Sequence, residues 1–302
     1  MFAVLSSTIS NLLGKNQVAV IEPSNKHYHQ PLWTYVGITT FDPENNTLRL
    51  ADGQTVGYDY LIVAAGGNAL FTFPTTPLKC PGAPTKITFL AEEVFRLTGV
   101  RDKTNVIYNH GGTQIFGIEY FAHAIEKLAD ERGIKRNFYT NYKNGELKTF
   151  EYDFIHIAPP QGPPNFIKES KLVDANGWVD VNKDTLRHNK YSNVFALGDC
   201  SSLPTSKIAD LQGKKVEQAV YDGYSSCPMI FSRDRLILAE YSGYTSMPLE
   251  TFSFDQRKLS KVSQYLNKEI IPFIYWNGLL TGNWVGPSTA RKMFDVIRPK
   301  RY

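Results

Sequence analysis

Three cysteines are all that this 302-residue chain contains, so the setting of each is informative. Cys80 stands in TTPLKCPGAPTK (75–86), between three prolines and a glycine, with lysines on both sides. Proline fixes φ and removes a donor, which keeps such a stretch out of helix interiors and central strands. A structural cysteine more often sits in an apolar, periodic segment. On a stiff loop beside Lys79, positive charge favours the thiolate, the form that reacts. The alternative is a loop thiol of no consequence. Cys227 has a similar setting in YDGYSSCPM (221–229), read as a small-residue turn before Pro228. The two cysteines could meet in the fold although nearly half the chain lies between them. Sequence alone does not show that they pair.

A second group of residues suits a nucleotide cofactor. NVFALGDC (193–200) is an apolar strand that delivers Gly198 and Asp199. A glycine there lets the backbone approach a flavin, and the aspartate can bond the ribityl chain; the alternative is a strand that happens to end in Gly-Asp. Cys200 reads as a packing residue of the same turn. NQVAVIEP (16–23) ends on Glu22, an acid placed like the ribose-binding residue of a dinucleotide-binding unit. The glycine fingerprint that should precede it by about 20 residues is absent, and Gly14 is the only glycine before Glu22. Read alone, Glu22 is a strand-end carboxylate. NHGGTQIFG (109–117) stands where a second fingerprint would fall and does not match it, which disfavours a pyridine nucleotide donor.

These residues need a scaffold, and the pattern around them supplies one. LRLADGQTVGYDYLIVAA (48–65) reads as a hairpin turning near Asp52-Gly53, then a buried strand. Strands are expected at Asn68–Phe73, leading into the cysteine loop, at Asn105–Asn109, and as short buried runs at Phe154–Ala158 and Val194–Leu197. A helix is expected from about Gly117 to Arg132, with Phe121, Ile125 and Leu128 on its core face. Strands alternating with helix mean an α/β chain with mostly parallel sheet.

The bulk properties narrow the function classes. No Cys-x-x-Cys or Cys/His spacing suggests zinc, the six histidines are scattered, and no metal site is expected. The net charge is only +4, but residues 255–302 hold nine Lys/Arg against three Asp/Glu. The basic character belongs to the C-terminal end and suggests an acidic surface there. Residues 270–290 lack charge, but two prolines and three glycines make a poor spanning helix. Their Tyr275, Trp276 and Trp284 are types that favour a membrane–water interface. Leu259, Val262, Leu266 and Ile270 form an apolar stripe that, read by itself, belongs to the core. The acid-free, Ser-rich start MFAVLSSTISNLLGK is a weak mitochondrial presequence, since it has no Arg.

LWTYVG (32–37), FTFPTTPLKCPGAPTK (71–86), GWVDVNKDTLRH (177–188), NVFALGDCSSLPTSK (193–207), YDGYSSCP (221–228) and LETFSFDQ (249–256) together resemble the mitochondrial type of sulfide:quinone oxidoreductase. The resemblance implies an α/β fold of two Rossmann-like dinucleotide-binding domains, here incomplete, plus a C-terminal membrane-associating region. It divides the chain into a partial FAD-binding domain (1–67), a second, NADH-like domain (68–176), a return to the FAD-binding domain (177–222) and a quinone- and membrane-associating region (223–302).

It further implies FAD as cofactor, held by Glu22, Gly198, Asp199 and Lys207, with Cys80 and Cys227 as the redox pair. Hydrogen sulfide would attack their disulfide, leaving a persulfide and a thiolate. Electrons would pass through FAD to ubiquinone, entering beside Phe273, Tyr275 and Trp276, and the sulfur to a small acceptor such as glutathione or sulfite. Lys79 or Lys207 would supply positive charge near the thiolate or the reduced flavin. The place implied is the mitochondrial inner membrane, on one leaflet; nucleic acid is not an expected partner.

Against that family the chain reads as truncated, with internal deletions. The pyrophosphate-binding glycine loop is missing, LIVAAG runs almost at once into NALFTFP, and PTSKIAD is followed by LQGKKVEQAVYDGY. Losing those donors should weaken FAD binding by several kcal/mol, at roughly 1.5–3 kcal/mol per charged hydrogen bond. The alternative function is a truncated, non-catalytic relative that acts at most as a membrane-associated binding protein. A third reading, a type II NADH dehydrogenase of the same fold, is weakened by the failed second fingerprint and by the cysteine pair.

Overall fold

The computed structural model describes residues 38–42, 44–45, 47–50, 53, 55–57, 67–76, 78, 80–138, 148–204, 221–284 and 286–295. The expected strand at 16–23, the buried run at 58–65, and Glu22, Lys79 and Lys207 lie outside them. The expected hairpin is present: β1 (Ile38–Asp42), β2 (Thr47–Leu50) and β3 (Thr55–Gly57) form an antiparallel meander, with Leu48 opposite Val56.

A four-stranded parallel sheet positions the candidate site. β4 (Gly67–Phe73), β5 (Thr104–His110), β6 (Lys135–Phe138) and β7 (Phe154–His156) lie in the order β6-β5-β4-β7. Helix α1 (Ala83–Leu97) links β4 to β5, and α2 (Glu119–Glu131) links β5 to β6. The chain then crosses back to place β7 on the other side of β4. In open parallel sheets, ligands bind beyond the carboxyl ends of the strands at such a reversal. Cys80 follows the carboxyl end of β4.

Helix α2 confirms its periodicity: Phe121 and Ile125 are fully buried, and Leu128 packs against the same core. Helix α1 corrects the reading of 75–86 as loop throughout. Pro84 falls in the first turn, where a missing N–H costs nothing and φ is already helical, so Ala83–Lys86 begin a 15-residue helix. The run at Phe154–His156 is half-buried rather than buried. Val194–Leu197 does not form a strand; Phe195 makes one isolated bridge to Arg187, and the chain turns at once into Gly198–Cys200.

Two further strands, β8 (Tyr224–Ile230) and β9 (Leu236–Ser242), form an antiparallel ribbon. Cys227 is therefore inside a strand, opposite Ala239, and not in a turn. Among the described residues β8 pairs along one edge only, with β9, and Pro228 needs no donor on the other. One core unites the sheet, both helices and this ribbon, with Phe71, Phe89, Tyr108, Phe121, Cys227, Met229, Phe231 and Ala239 in a single cluster.

The C-terminal helical stretch, 261–279, alternates α and π turns. Its apolar stripe faces the core only in part: Leu259 packs against the main core, and Leu266 and Ile270 are half-buried. Val262 is 56% exposed, while Ser263, Gln264 and Asn267 are buried. Among the described residues no helix is long and apolar enough to cross a membrane.

Candidate active site

Cys80 sits two residues before the N-cap of α1, and its carbonyl accepts from Ala83 N–H at 3.0 Å. Cys80 is exposed and Cys227 is buried on β8, and neither is in a disulfide. The two thiols face each other across the gap between α1 and the ribbon, near enough for each to shift the other's pKa, and the Gly82 backbone, two residues after Cys80, lies directly against Cys227 Sγ. The fold thus brings together the two cysteines that the family resemblance pairs and that their own neighbourhoods offer only as separate candidates.

The pair is electrostatically unequal. The Cys227 hydrogen bond, above all, lowers the Cys80 pKa from 9.0 to about 6, helped by the Lys86 ammonium and by the Ala83 and Gly82 backbone N–H groups at the helix start. Desolvation opposes this and is overcome. Cys227 is driven well above its usual value by the same hydrogen bond and by burial. One proton is therefore held on Cys227 while Cys80 carries the charge. Lys86, not singled out in the sequence, is the described residue that supplies the cation.

This predicts a pH profile. In the reduced protein, alkylation of Cys80 by iodoacetamide should rise through pH about 6, below the ~8.5 of a free thiol. A midpoint near the free-thiol value would refute the assignment of charge. The folded-state pKa is depressed, so this thiolate stabilises the reduced fold in full above the unfolded value. The contribution fades as pH falls toward about 6.

The unmatched NHGGTQIFG stretch has a structural role at this site. Gly111 N–H donates to Phe73 O at 2.8 Å. A Cβ on Gly111 would lie 2.5 Å from the Pro74 carbonyl carbon and from Thr75 N, so the end of β5 presses directly on the base of the cysteine loop. His110 stacks on Phe73 at 4.0 Å between ring centroids.

At the second candidate site, Gly198 has φ +73°, a conformation that favours glycine. Its backbone is bare of a Cβ, and the next residue, Asp199, is exposed. The exposed Asp199 carboxylate suits the hydroxyls of a flavin's ribityl chain, while Gly198 itself is buried. Cys200 Sγ donates to Leu197 O at 3.3 Å and packs against the local core, as expected of a packing residue. Phe273 and Trp276 are 64% and 45% exposed, and the Tyr275 ring stands edge-on to Trp276 at 5.1 Å. Among the described residues no group of three or more His, Cys, Asp or Glu could hold a metal ion.

The chain is 34% identical to the mitochondrial sulfide:quinone oxidoreductase of Mus musculus, over 97% of this chain and 87% of that protein. It is equally 34% identical to that of Dictyostelium discoideum, over 98% and 86%. The X-ray structure of the sulfide:quinone oxidoreductase from the bacterium Aquifex aeolicus shares the fold, with TM-score 0.53 at 14% identity, covering 86% of this chain and 78% of that one. No family model matches. Relatives and fold together define an oxidoreductase of mixed α/β architecture built on a parallel sheet. More particularly, the chain belongs to the mitochondrial sulfide:quinone oxidoreductase family, a family of flavoprotein enzymes. The alignment with the mouse protein runs over 392 positions against 302 residues here, so the relative has internal segments that this chain lacks.

Proposed function

We propose that the chain oxidises hydrogen sulfide at the Cys80–Cys227 pair and passes the electrons through FAD to ubiquinone. The observation that carries this reading is the contact of an exposed, low-pKa thiol with a buried, high-pKa one.

In the oxidised pair the two sulfurs are bonded. Hydrosulfide attacks one of them, forming a new S–S bond as the Cys80–Cys227 bond breaks and an electron pair leaves on the expelled thiolate. Thiol–disulfide exchange expels the better leaving group, the thiolate of lower pKa, and that is Cys80. The persulfide is then formed on Cys227, the buried member of the pair. Lys86 and the start of α1 hold the negative charge on Cys80. A small nucleophile, sulfite or glutathione thiolate, takes the terminal sulfur and leaves Cys227 as a thiolate. Loss of two electrons from the thiolate pair re-forms the bridge. FAD, when bound at Gly198 and Asp199 with Glu22 and Lys207, would supply the two-electron acceptor and hand the pair to ubiquinone.

The outward Val262, Tyr265, Phe273 and Trp276, flanked by Lys258, Lys261 and Lys268, support seating on an anionic membrane leaflet. Phe273, Tyr275 and Trp276 would then line the entry for the quinone, at the inner mitochondrial membrane.

The test is to oxidise the protein, add one equivalent of sulfide, block free thiols and map the extra sulfur by mass spectrometry. The expected result is 32 Da (about the mass of one sulfur, by the exchange above) on the Cys227 peptide and a blocked thiol at Cys80. Sulfur found only on Cys80, or on neither, would contradict the mechanism. A second reading, a non-catalytic relative bound to membranes, is favoured by the segments missing relative to the mouse protein. It predicts the same persulfide with no electron transfer to quinone.

A further inference from the structure

Gly82 is the N-cap of α1, yet its conformation does not require glycine: φ is −79° and ψ −15°, a region open to any residue. The surroundings do require it. A Cβ at Gly82 would lie 2.7 Å from Met229 Sδ and 2.9 Å from Cys227 Sγ. Met229 is fully buried and Cys227 is 8% exposed. Both lie on one face of β8, and Cys227 Sγ and Met229 Sδ are in contact at 3.5 Å. The thioether therefore backs the inner sulfur from one side, and the bare Gly82 backbone closes over it from the other. Gly82 N–H also lies among the donors that favour the Cys80 thiolate.

We propose that Gly82 and Met229 are positioning residues that form a seat for Cys227, fixing its sulfur at bonding approach to Cys80. The inference rests on the pair being the redox centre and adds the residues that set its spacing. An alanine at 82 strains no backbone angle, so its added carbon must be accommodated by the sulfurs. Met229 is enclosed in the core and has little freedom to swing aside. Cys227 Sγ can yield only by turning about χ1 or by lifting the loop, and either movement changes its approach to Cys80. Disulfide geometry tolerates little such error.

The experiment compares the wild-type chain, Gly82→Ala, Gly82→Ala with Met229→Val, and Gly117→Ala as a control. A Cβ at Gly117 would meet nothing within 4 Å, and its φ is not positive. Each is reduced, then bridged with diamide, and bridge formation is timed; Cys80 alkylation is titrated against pH, and Tm is recorded. Gly82→Ala should slow bridging by about 100-fold, the scale of a ~1 Å misplacement of reacting groups. It should also move the Cys80 midpoint upward while Tm stays within about 3 °C. Valine at 229 lacks the sulfur and terminal methyl that meet the new carbon, and the double variant should recover at least about tenfold of the bridging rate, or ~1.4 kcal/mol.

Bridging by Gly82→Ala at the wild-type rate overturns the seat. So does a loss of bridging that tracks loss of the folded state and is not relieved by Met229→Val. A wild-type chain that forms no bridge refutes the proposed function instead. The Cys80 midpoint then decides on Gly82 alone, and an unmoved value refutes the seat as well.

Discussion

Replacing Cys227 with serine should abolish sulfide-dependent quinone reduction, lowering kcat/KM on the order of 10³-fold or more, as loss of an essential covalent centre does. Cys80→Ser should do the same, for a different reason. Without Cys227 there is no sulfur to carry the persulfide; without Cys80 there is no stabilised thiolate to leave. The two variants separate in stability. Cys80 is exposed, so its serine variant should unfold within about 0.5 kcal/mol of the wild type. Cys227 is enclosed in the main core, and a hydroxyl there costs ~1–3 kcal/mol unless it finds a partner. Steady-state assays with a soluble quinone, alongside urea unfolding, check both. Residual activity within tenfold of wild type in either variant would show that the pair is not the redox centre.

Replacing Glu92 with alanine should cause the largest loss of stability. Glu92 lies on α1 and is 1% exposed. Its carboxylate accepts from three arginines: Arg96 Nη2 at 3.0 Å, Arg101 Nε at 3.3 Å and Arg132 Nη1 at 3.3 Å. Arg101 also donates to the Thr104, Arg132 and Gly133 carbonyls, and Arg132 to Phe231 O at 2.7 Å. One carboxylate thus ties α1 to the end of α2, the entry to β5 and the end of β8. Removing it leaves clustered guanidinium groups without their anion, two of them poorly hydrated. Breaking such a buried pair costs ~3–5 kcal/mol, or a fall in Tm of roughly 10 °C for a chain of this size. A loss under about 1 kcal/mol would show that water replaces the carboxylate and that the network is incidental. Because α1 starts at the cysteine loop, the same variant should also broaden the Cys80 titration.

Much of this scaffold was legible because its signals are local. The apolar run at Asn68–Phe73 and the spacing of Phe121, Ile125 and Leu128 each specify one element without help from the rest. Prolines misled in two places, and in both the reason is position within the element. Pro84 occupies a helix's first turn, and Pro228 lies where β8 has no described partner on its outer edge, so neither breaks what it sits in. The C-terminal stripe misled in the opposite way. Val262 points outward while Leu259 packs on the main core and Ser263, Gln264 and Asn267 are buried, a mixed face that apolar spacing alone does not reveal.

The site itself was legible only in halves. Each cysteine could be singled out from its neighbours, and the family resemblance pairs them, but local sequence alone does not show that they meet, because that depends on how α1 and β8 share a core. Lys86 and Gly82 gained meaning only then: one lies in the first turns of the helix that follows the cysteine, and the other is a glycine with an ordinary φ. Gly111 is a similar case. Read as part of a failed nucleotide fingerprint, it instead lets β5 abut the base of the cysteine loop.

The most direct test of the central claim is the visible spectrum of the purified chain loaded with FAD, before and after sulfide under anaerobic conditions. The account predicts a bound-flavin band that bleaches on adding sulfide, returns on adding a ubiquinone analogue, and fails to bleach in Cys227→Ser. A flavin band that sulfide leaves unchanged in the wild-type chain would contradict it.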